Sequence, residues 1–240
     1  MYQRDVDNHP ELIRELKGAE QREEPGYVST YSFPNGHSKD GKVPKIDTLF
    51  VDFDIEGERY NPKQDRTKKQ DWRIELSELL TRVRMFSRGL IKEGVEDFWR
   101  ASLSGHKGVH LFLDFPPIDP KEGTFEQFKV GLNDYADAVT KNLDEVSGGI
   151  NLEGWVDVIS ADLGRLTRLP NTPHFGVAYT DETRYCVPVS IEELAEIDVE
   201  RYEELTKEPR PIPDGCERTP SESAGEKVVQ AIRMADVGKK

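Results

Sequence analysis

The sequence predicts an α/β (α+β) domain built on a mixed, largely antiparallel sheet with flanking helices. Three observations predict it. LFVDFDIE, residues 49–56, alternates apolar and acidic side chains at the period of a strand. Two β-rich runs, residues 96–103 and 109–115, flank a glycine-bounded turn and so read as a hairpin. Two longer stretches carry apolar residues at helical spacing, which supplies the flanking layer.

Taken in order, residues 1–26 are charged, with Leu12, Ile13 and Leu16 marking a short helix that ends at Gly18 before a solvated linker. Residues 27–47 mix β-formers with Pro, Asn and Gly, giving a strand, a turn around PNG and a loop in which His37 is solvated. After the acidic strand, residues 57–70 are polar and aperiodic and read as an exposed loop. From Asp71 to Lys92, Leu76, Leu79, Leu80, Val83, Phe86 and Leu90 define a core-facing helix stopped by Gly94. The hairpin follows, closed by Pro116 and Pro117.

Thr124 and Gln127 form a capping box for a helix bearing Phe125, Phe128, Leu132, Tyr135, Val139 and Leu143, which ends at the SGG of residues 147–149. Residues 155–179 begin as a strand and pass through a basic turn into a second strand, with RYCVPVS (184–190) as its partner. Ser190 and Glu193 cap a short acidic helix. Proline-rich residues 207–224 read as an extended linker before a marginal helix over 225–235. The expected organisation is therefore a charged segment (1–26), a catalytic domain (27–206) and a linker with a short C-terminal helix (207–240).

Composition narrows the classes. The longest apolar runs are strand-length and the first residues lack a hydrophobic stretch, so neither a membrane span nor a signal peptide is expected, and the protein is read as soluble and intracellular. Cys186 and Cys216 are too few for a disulfide framework and sit in no CxxC or CxxH pair, so free thiols and no zinc site are expected. A net charge of −13 repels nucleic acid at long range, which confines any polynucleotide binding to a local basic groove or to metal bridges. The same acidic surplus suits concentrated salt, where the Debye length falls to ~3 Å at 1 M, and raises a halophilic source as a hypothesis testable by activity and melting against KCl.

Three constellations carry chemistry. Asp52 and Asp54 are two apart on the acidic strand, so their carboxylates stand on one face while Val51, Phe53 and Ile55 enter the core. Paired carboxylates suit Mg²⁺ or Mn²⁺; as a lone pair they are as readily a solvated strand face. In the turn SGHKGVH, Gly105 and Gly108 can take positive φ and bring backbone N–H groups to an anion. Lys107 adds a charge, and Ser104 and His110 add hydrogen bonds, with His106 beside them. As an isolated loop this would be an ordinary tight turn. The third constellation is Asp157 with Asp162, Arg165, Arg168 and His174. Asp157 lies among apolar Trp155, Val156, Val158 and Ile159, where a carboxylate needs a cation, and guanidinium is the planar donor suited to phosphate. The bland alternative is a structural ion pair between Asp157 and Arg165 or Arg168.

Together, the order and spacing of these residues resemble the catalytic small subunit of archaeal and eukaryotic DNA primases and the wider primase-polymerase superfamily, which includes plasmid, viral and end-joining repair polymerases. The motifs are the acidic pair Asp52 and Asp54, then Ser104, Gly105, Lys107, Gly108 and His110 in Ser-Gly-x-Arg/Lys-Gly-x-His, then VDVISADLGRLTRLPNTPH. The resemblance spans roughly residues 27–190 and implies a primase-polymerase catalytic core. It implies that Asp52, Asp54 and Asp157 bind two Mg²⁺ or Mn²⁺ ions. It also implies that Ser104, Lys107, His110, Arg168 and His174 hold the triphosphate and sugar of the incoming nucleotide, with Gly105, His106, Gly108 and Arg165 in the same pocket. The segment before Arg168 is one residue shorter than in archaeal small subunits, which leaves Asp162 as the alternative third carboxylate; Asp157 is favoured because it lies on the apolar strand. Many relatives carry a second basic residue where His106 stands. The cysteine-rich zinc knob and the helical insertions of cellular small subunits are absent from this sequence, so it reads as a minimal core of viral, plasmid or compact archaeal type.

The implied activity is template-directed nucleotidyl transfer from an NTP or dNTP to a 3′-hydroxyl on a single-stranded DNA template. A primase large subunit or a replicative helicase is the implied protein partner. Three other readings stay open at the level of sequence: a repair-type polymerase that extends ends without initiating, a metal-dependent phosphohydrolase or nuclease, and a non-catalytic nucleic-acid-binding subunit.

Overall fold

The computed structural model describes residues 9–21, 25–33, 42–55, 69–146, 149, 156–157, 163–174 and 182–236. The described elements run from α1 (His9–Gln21) through β1 (Tyr27–Ser29), β2 (Ile46–Asp54) and α2 (Lys69–Glu93) to the hairpin β3 (Trp99–Leu103) and β4 (Gly108–Ile118) and then α3 (Phe125–Val146). Short strands β5 (Val156–Asp157), β6 (Leu166–Arg168), β7 (Pro173–His174), β8 (Arg184–Tyr185) and β9 (Val187–Val189) precede α4 (Ile191–Ala195), α5 (Val199–Leu205) and α6 (Glu222–Met234). Among the described residues the main sheet has five strands in the order β5-β2-β4-β3-β9, and every neighbouring pair is antiparallel. Two further two-stranded ladders, β1 with β6 and β7 with β8, complete the mixed α/β fold. Among the described residues no helix is long and apolar enough to cross a membrane.

Alternation divides the sheet into two chemically different faces. Leu49, Val51 and Phe53 of β2, Val109, Leu111 and Leu113 of β4, and Ala101 and Leu103 of β3 are buried on one of them. The helical stripe of α2, from Leu76 to Leu90, is fully buried too, and Phe86 meets Phe53 and Trp99 edge-on at centroid separations of 5.3 and 5.5 Å. Phe128 and Leu132 of α3 extend this core. Phe50, Asp52 and Asp54, together with His110, Phe112 and Asp114, belong to the opposite face.

At its far end that second face holds an ionic cluster around a buried carboxylate. Asp114 is completely buried and accepts from Arg100 Nε at 2.5 Å and Nη2 at 2.9 Å. Arg218, from the irregular segment before α6, lies 3.5 Å from Asp114 and pairs with Asp47 at 2.9 Å. The Asp114 carbonyl accepts from the Ser221 amide at the N-cap of α6. These contacts join residues 218–221 to β2 and β4.

Several local expectations are corrected. The first helix runs through Gly18 to Gln21 rather than stopping at the glycine, a conformation that costs an isolated glycine only about 1 kcal/mol against alanine. Strand β4 continues through Pro116 and Pro117 to Ile118. It can do so because the register with β2 shifts between Ile46 and Thr48, a bulge that relieves two prolines without N–H groups of ladder bonds. RYCVPVS is not one strand: Arg184–Tyr185 pair with β7, whereas Val187–Val189 join β3 across the main sheet. A further helix, α5, follows α4. The final helix starts at Glu222 and is docked against α3 and β4, burying Val228 and Ile232; its backbone approaches so closely that a Cβ on Gly131 would lie 2.5 Å from Ile232 Cα. Both capping boxes are present, at Thr124–Gln127 and at Ser190–Glu193. Gly94 ends α2 at φ +66°. The PNG turn, His37 and most of the loop after β2 lie outside the described residues.

Candidate active site

The site is built on adjoining strands of the main sheet and on the two small ladders. Asp52 and Asp54 share a face of β2, with Asp52 opposite His110 and Asp54 opposite Gly108 on β4. On the other side of β2, Asp157 of β5 is the register partner of Asp52. The Asp157 side chain and the whole of Asp162 lie outside the described residues.

Cations approach both carboxylates. Lys107 Nζ is 2.8 Å from Asp54 Oδ2 and donates to the Ile55 carbonyl at 3.0 Å, so the turn is tied back to the end of the acidic strand. Arg165 Nη2 is 3.6 Å from Asp52 Oδ2, a looser contact from a partly exposed side chain. Arg168 is held differently: Nη1 donates to the Pro173 carbonyl at 3.0 Å, Nη2 donates to the Tyr27 hydroxyl at 2.5 Å, and the guanidinium lies 4.7 Å from the Tyr27 ring centroid. The register pair Tyr27–Arg168 explains that contact. Thus Arg165 meets Asp52, while Arg168 is aligned by β1.

The glycine turn is organised from within. Ser104 Oγ accepts from the amides of His106 and Lys107 at 3.3 Å each and of Gly108 at 3.0 Å. The backbone N–H groups expected to face an anion therefore converge on the serine hydroxyl, as in turns closed by Ser and Thr side chains. Gly105 has φ +81°, and a Cβ there would sit 2.5 Å from the Tyr185 carbonyl oxygen. Gly108 is required by close approach rather than by positive φ, since its Cβ would lie 2.5 Å from the Phe53 carbonyl oxygen.

Burial shapes the titration of the site. Burial raises the Asp54 carboxyl to about 6, and nearby Asp52 adds to the rise while Lys107 opposes it. Asp54 Oδ1 is buried without a hydrogen-bond partner among the described residues. Burial, followed by His174, Lys107 and Arg168, lowers His106 to about 3; its ring lies 4.8 Å from that of His174. Burial, then Arg168 and Arg165, lowers His110 to about 4. At neutral pH His110 is therefore an uncharged neighbour of Asp52 at 3.8 Å, beyond hydrogen-bond reach, and its Nδ1 is also buried without a partner among the described residues.

The folded-state value of His110, below the unfolded value of 6.5, means that the unfolded chain takes up this proton first as pH falls. The associated stability is present above 6.5 and is lost as pH falls towards 4. The difference in unfolding free energy between the wild type and His110→Asn should therefore shrink by about 3 kcal/mol between pH 7.5 and pH 4. Urea melts at both pH values measure it, and a pH-independent difference would show that His110 is not buried in its neutral form.

These groups border one open cleft of about 160 Å³. Asp52, Asp54, Lys107, His110, Arg165 and Arg168 line it, His106 and His174 stand together, and Ser104 and Gly108 contribute from the turn. Tyr27 and Phe50 also line it. Tyr27 carries no motif, and only the pairing of β1 with β6 reveals its place.

The donor set fits a hard divalent cation. Asp52 and Asp54 offer carboxylate oxygens on one face, one of them orphaned, and a carboxyl whose charge burial disfavours is one that a cation would compensate. Among the described residues no group of three or more His, Cys, Asp or Glu side chains is arranged to hold a metal, so a third ligand would come from the β5 segment or from a bound polyphosphate.

No protein-family model and no curated protein matches the sequence. Among solved structures, the chain is similar to the polymerase domain from Mycobacterium tuberculosis ligase D in complex with DNA, with 16% identity and a TM-score of 0.40 over 88% of this chain. The match spans 60% of the length of that structure's chain.

Proposed function

We propose that the protein is a DNA primase or primase-polymerase that transfers nucleotides from an NTP or dNTP to a 3′-hydroxyl under the direction of a single-stranded DNA template. The observation that carries this reading is convergence: an acidic pair from β2, the Ser-Gly-His-Lys-Gly turn, His110 of β4 and two arginines around β6 border the same cleft despite their separation in sequence. That combination is the one the resemblance implies, and it offers an anionic side for cations facing a cationic side for a triphosphate.

Asp52 and Asp54 would hold Mg²⁺ or Mn²⁺, with Asp157, opposite Asp52 in register, as the third carboxylate. The bound ions would lower the pKa of the attacking hydroxyl and neutralise charge on the triphosphate. The residues of the chain bind and orient. Lys107 and Arg165 currently face carboxylates and can turn to phosphate oxygens once cations take over those carboxylates. Arg168, braced by Tyr27 and Pro173, presents a pre-oriented guanidinium. His110 and His106 are neutral at pH 7 and can donate a hydrogen bond; an incoming polyanion raises their affinity for a proton. None of these groups acts as a covalent nucleophile in this scheme.

The testing experiment is incorporation of labelled dATP or ATP on oligo(dT), with and without an annealed primer, in Mg²⁺ and in Mn²⁺. The reading expects metal-dependent product on the template. Products without a primer indicate initiation; products only with one indicate the end-extending, repair-type member of the same superfamily. Salt-sensitive DNA binding with no incorporation would replace the enzyme reading by a binding subunit.

A further inference from the structure

We propose that Tyr202 of α5 is a positioning residue that sets the 104–108 turn, and with it Lys107, for a triphosphate; the proposal rests on the reading of this cleft as a nucleotide site. Tyr202 lies nearly a hundred residues beyond the turn, in α5. It is completely buried. Its hydroxyl donates to the Gly108 carbonyl at 3.1 Å and lies 3.4 Å from Ser104 Oγ.

The hydrogen-bond inventory fixes the directions. Ser104 Oγ receives three backbone amides on its acceptor side, which leaves its own hydrogen to point at the Tyr202 oxygen. Tyr202 therefore donates to one end of the turn and accepts from the serine that gathers the rest of it. Burial pushes the phenol well above its ordinary pKa, so the donor stays protonated at any working pH.

Helix α5 is itself anchored to α2 and to β8. Arg73 of α2 pairs with Glu200 at 2.5 Å and Glu203 at 3.3 Å. Arg184 of β8 donates to the Glu203 carbonyl, and the Tyr185 amide donates to the Thr206 carbonyl at 2.8 Å. Since β8 pairs with β7, which carries His174, and since Gly105 abuts Tyr185, one helix braces both the lysine turn and the histidine strand. Tyr202 is the point where that brace reaches the turn.

Tyr202→Phe keeps the ring and its packing and removes only the hydroxyl, leaving the Ser104 hydrogen without its acceptor. The probe is inorganic tripolyphosphate with Mg²⁺, measured by calorimetry, so the readout does not depend on polymerisation. Tyr202→Phe should weaken binding about tenfold, raise the nucleotide KM by a similar factor with kcat within twofold, and speed amide exchange at residues 106–108. Val228→Ala, a core truncation in α6, serves as a destabilised control and should leave binding unchanged. Ser104→Ala interrupts the same hydrogen bond from the other side, and adding Tyr202→Phe to it should weaken binding no further; this variant carries the test if Tyr202→Phe does not fold.

Unchanged tripolyphosphate binding in Tyr202→Phe, or equal weakening in Val228→Ala, would overturn the positioning role. So would a wild type that does not bind tripolyphosphate. Binding that depends on Tyr202 in a protein that incorporates no nucleotide would instead support this inference and remove the polymerase reading.

Discussion

Asp54→Asn should reduce templated incorporation about a thousandfold or more while leaving the folded protein no less stable at pH 8. Loss of one of two carboxylates removes half of the negative charge that Asp52 and Asp54 present to cations, and a thousandfold corresponds to about 4 kcal/mol, the several kcal/mol expected of metal-assisted charge stabilisation. Stability should move the other way. The Asp54 carboxyl is raised to about 6 in the folded state against 3.8 unfolded, so its contribution is stabilising below 3.8 and is lost as pH rises through 6. At pH 8 the substitution removes a charge that burial disfavours. Asp52→Asn should show the same loss of incorporation. Incorporation assays beside thermal melts measure both halves, and incorporation near the wild-type rate by either variant would exclude this site as the catalytic one.

The second large effect is expected at the opposite end of the same sheet face and should leave chemistry untouched. Arg100→Met strips completely buried Asp114 of both short hydrogen bonds and leaves only the 3.5 Å contact with Arg218. Breaking a buried pair from one side costs about 3–5 kcal/mol, because the remaining charge stays desolvated. Urea unfolding should show that loss, and adding Asp114→Leu should recover most of it, since an apolar pair can replace a buried ion pair at little net cost. The nucleotide KM of the folded fraction should stay as in the wild type. A loss below 1 kcal/mol would mean that Arg218 and solvent carry the Asp114 charge unaided.

These two predictions show where the sequence was legible. Asp52 and Asp54 announce themselves by a period of two within an apolar run, and that period alone puts them on one face with Phe50. The same rule places Leu76 to Leu90 in the core, because burial follows a local repeat. Asp114 was silent for the opposite reason. In HLFLDFPP it reads as one more polar position of a strand, and its partners, Arg100 and Arg218, are brought to it only by the hairpin and the returning C-terminal segment.

The turn illustrates an intermediate case. Gly105 was legible as a positive-φ position, but the direction of the amides was not, because Ser104 competes for them and Tyr202 stabilises that arrangement from a helix far along the chain. Tyr27 was hidden likewise, since the pairing of β1 with β6 has no local signature. Spacing reveals which residues share a face; the partners that orient them come from long-range pairing.

The most direct test of the central claim is pyrophosphate release from dATP by the wild-type protein with primed oligo(dT) compared with primed oligo(dC), in Mn²⁺. The account predicts release at least tenfold faster on the complementary template, with one pyrophosphate per nucleotide added. Equal release on both templates, or release of orthophosphate in place of pyrophosphate, would contradict it.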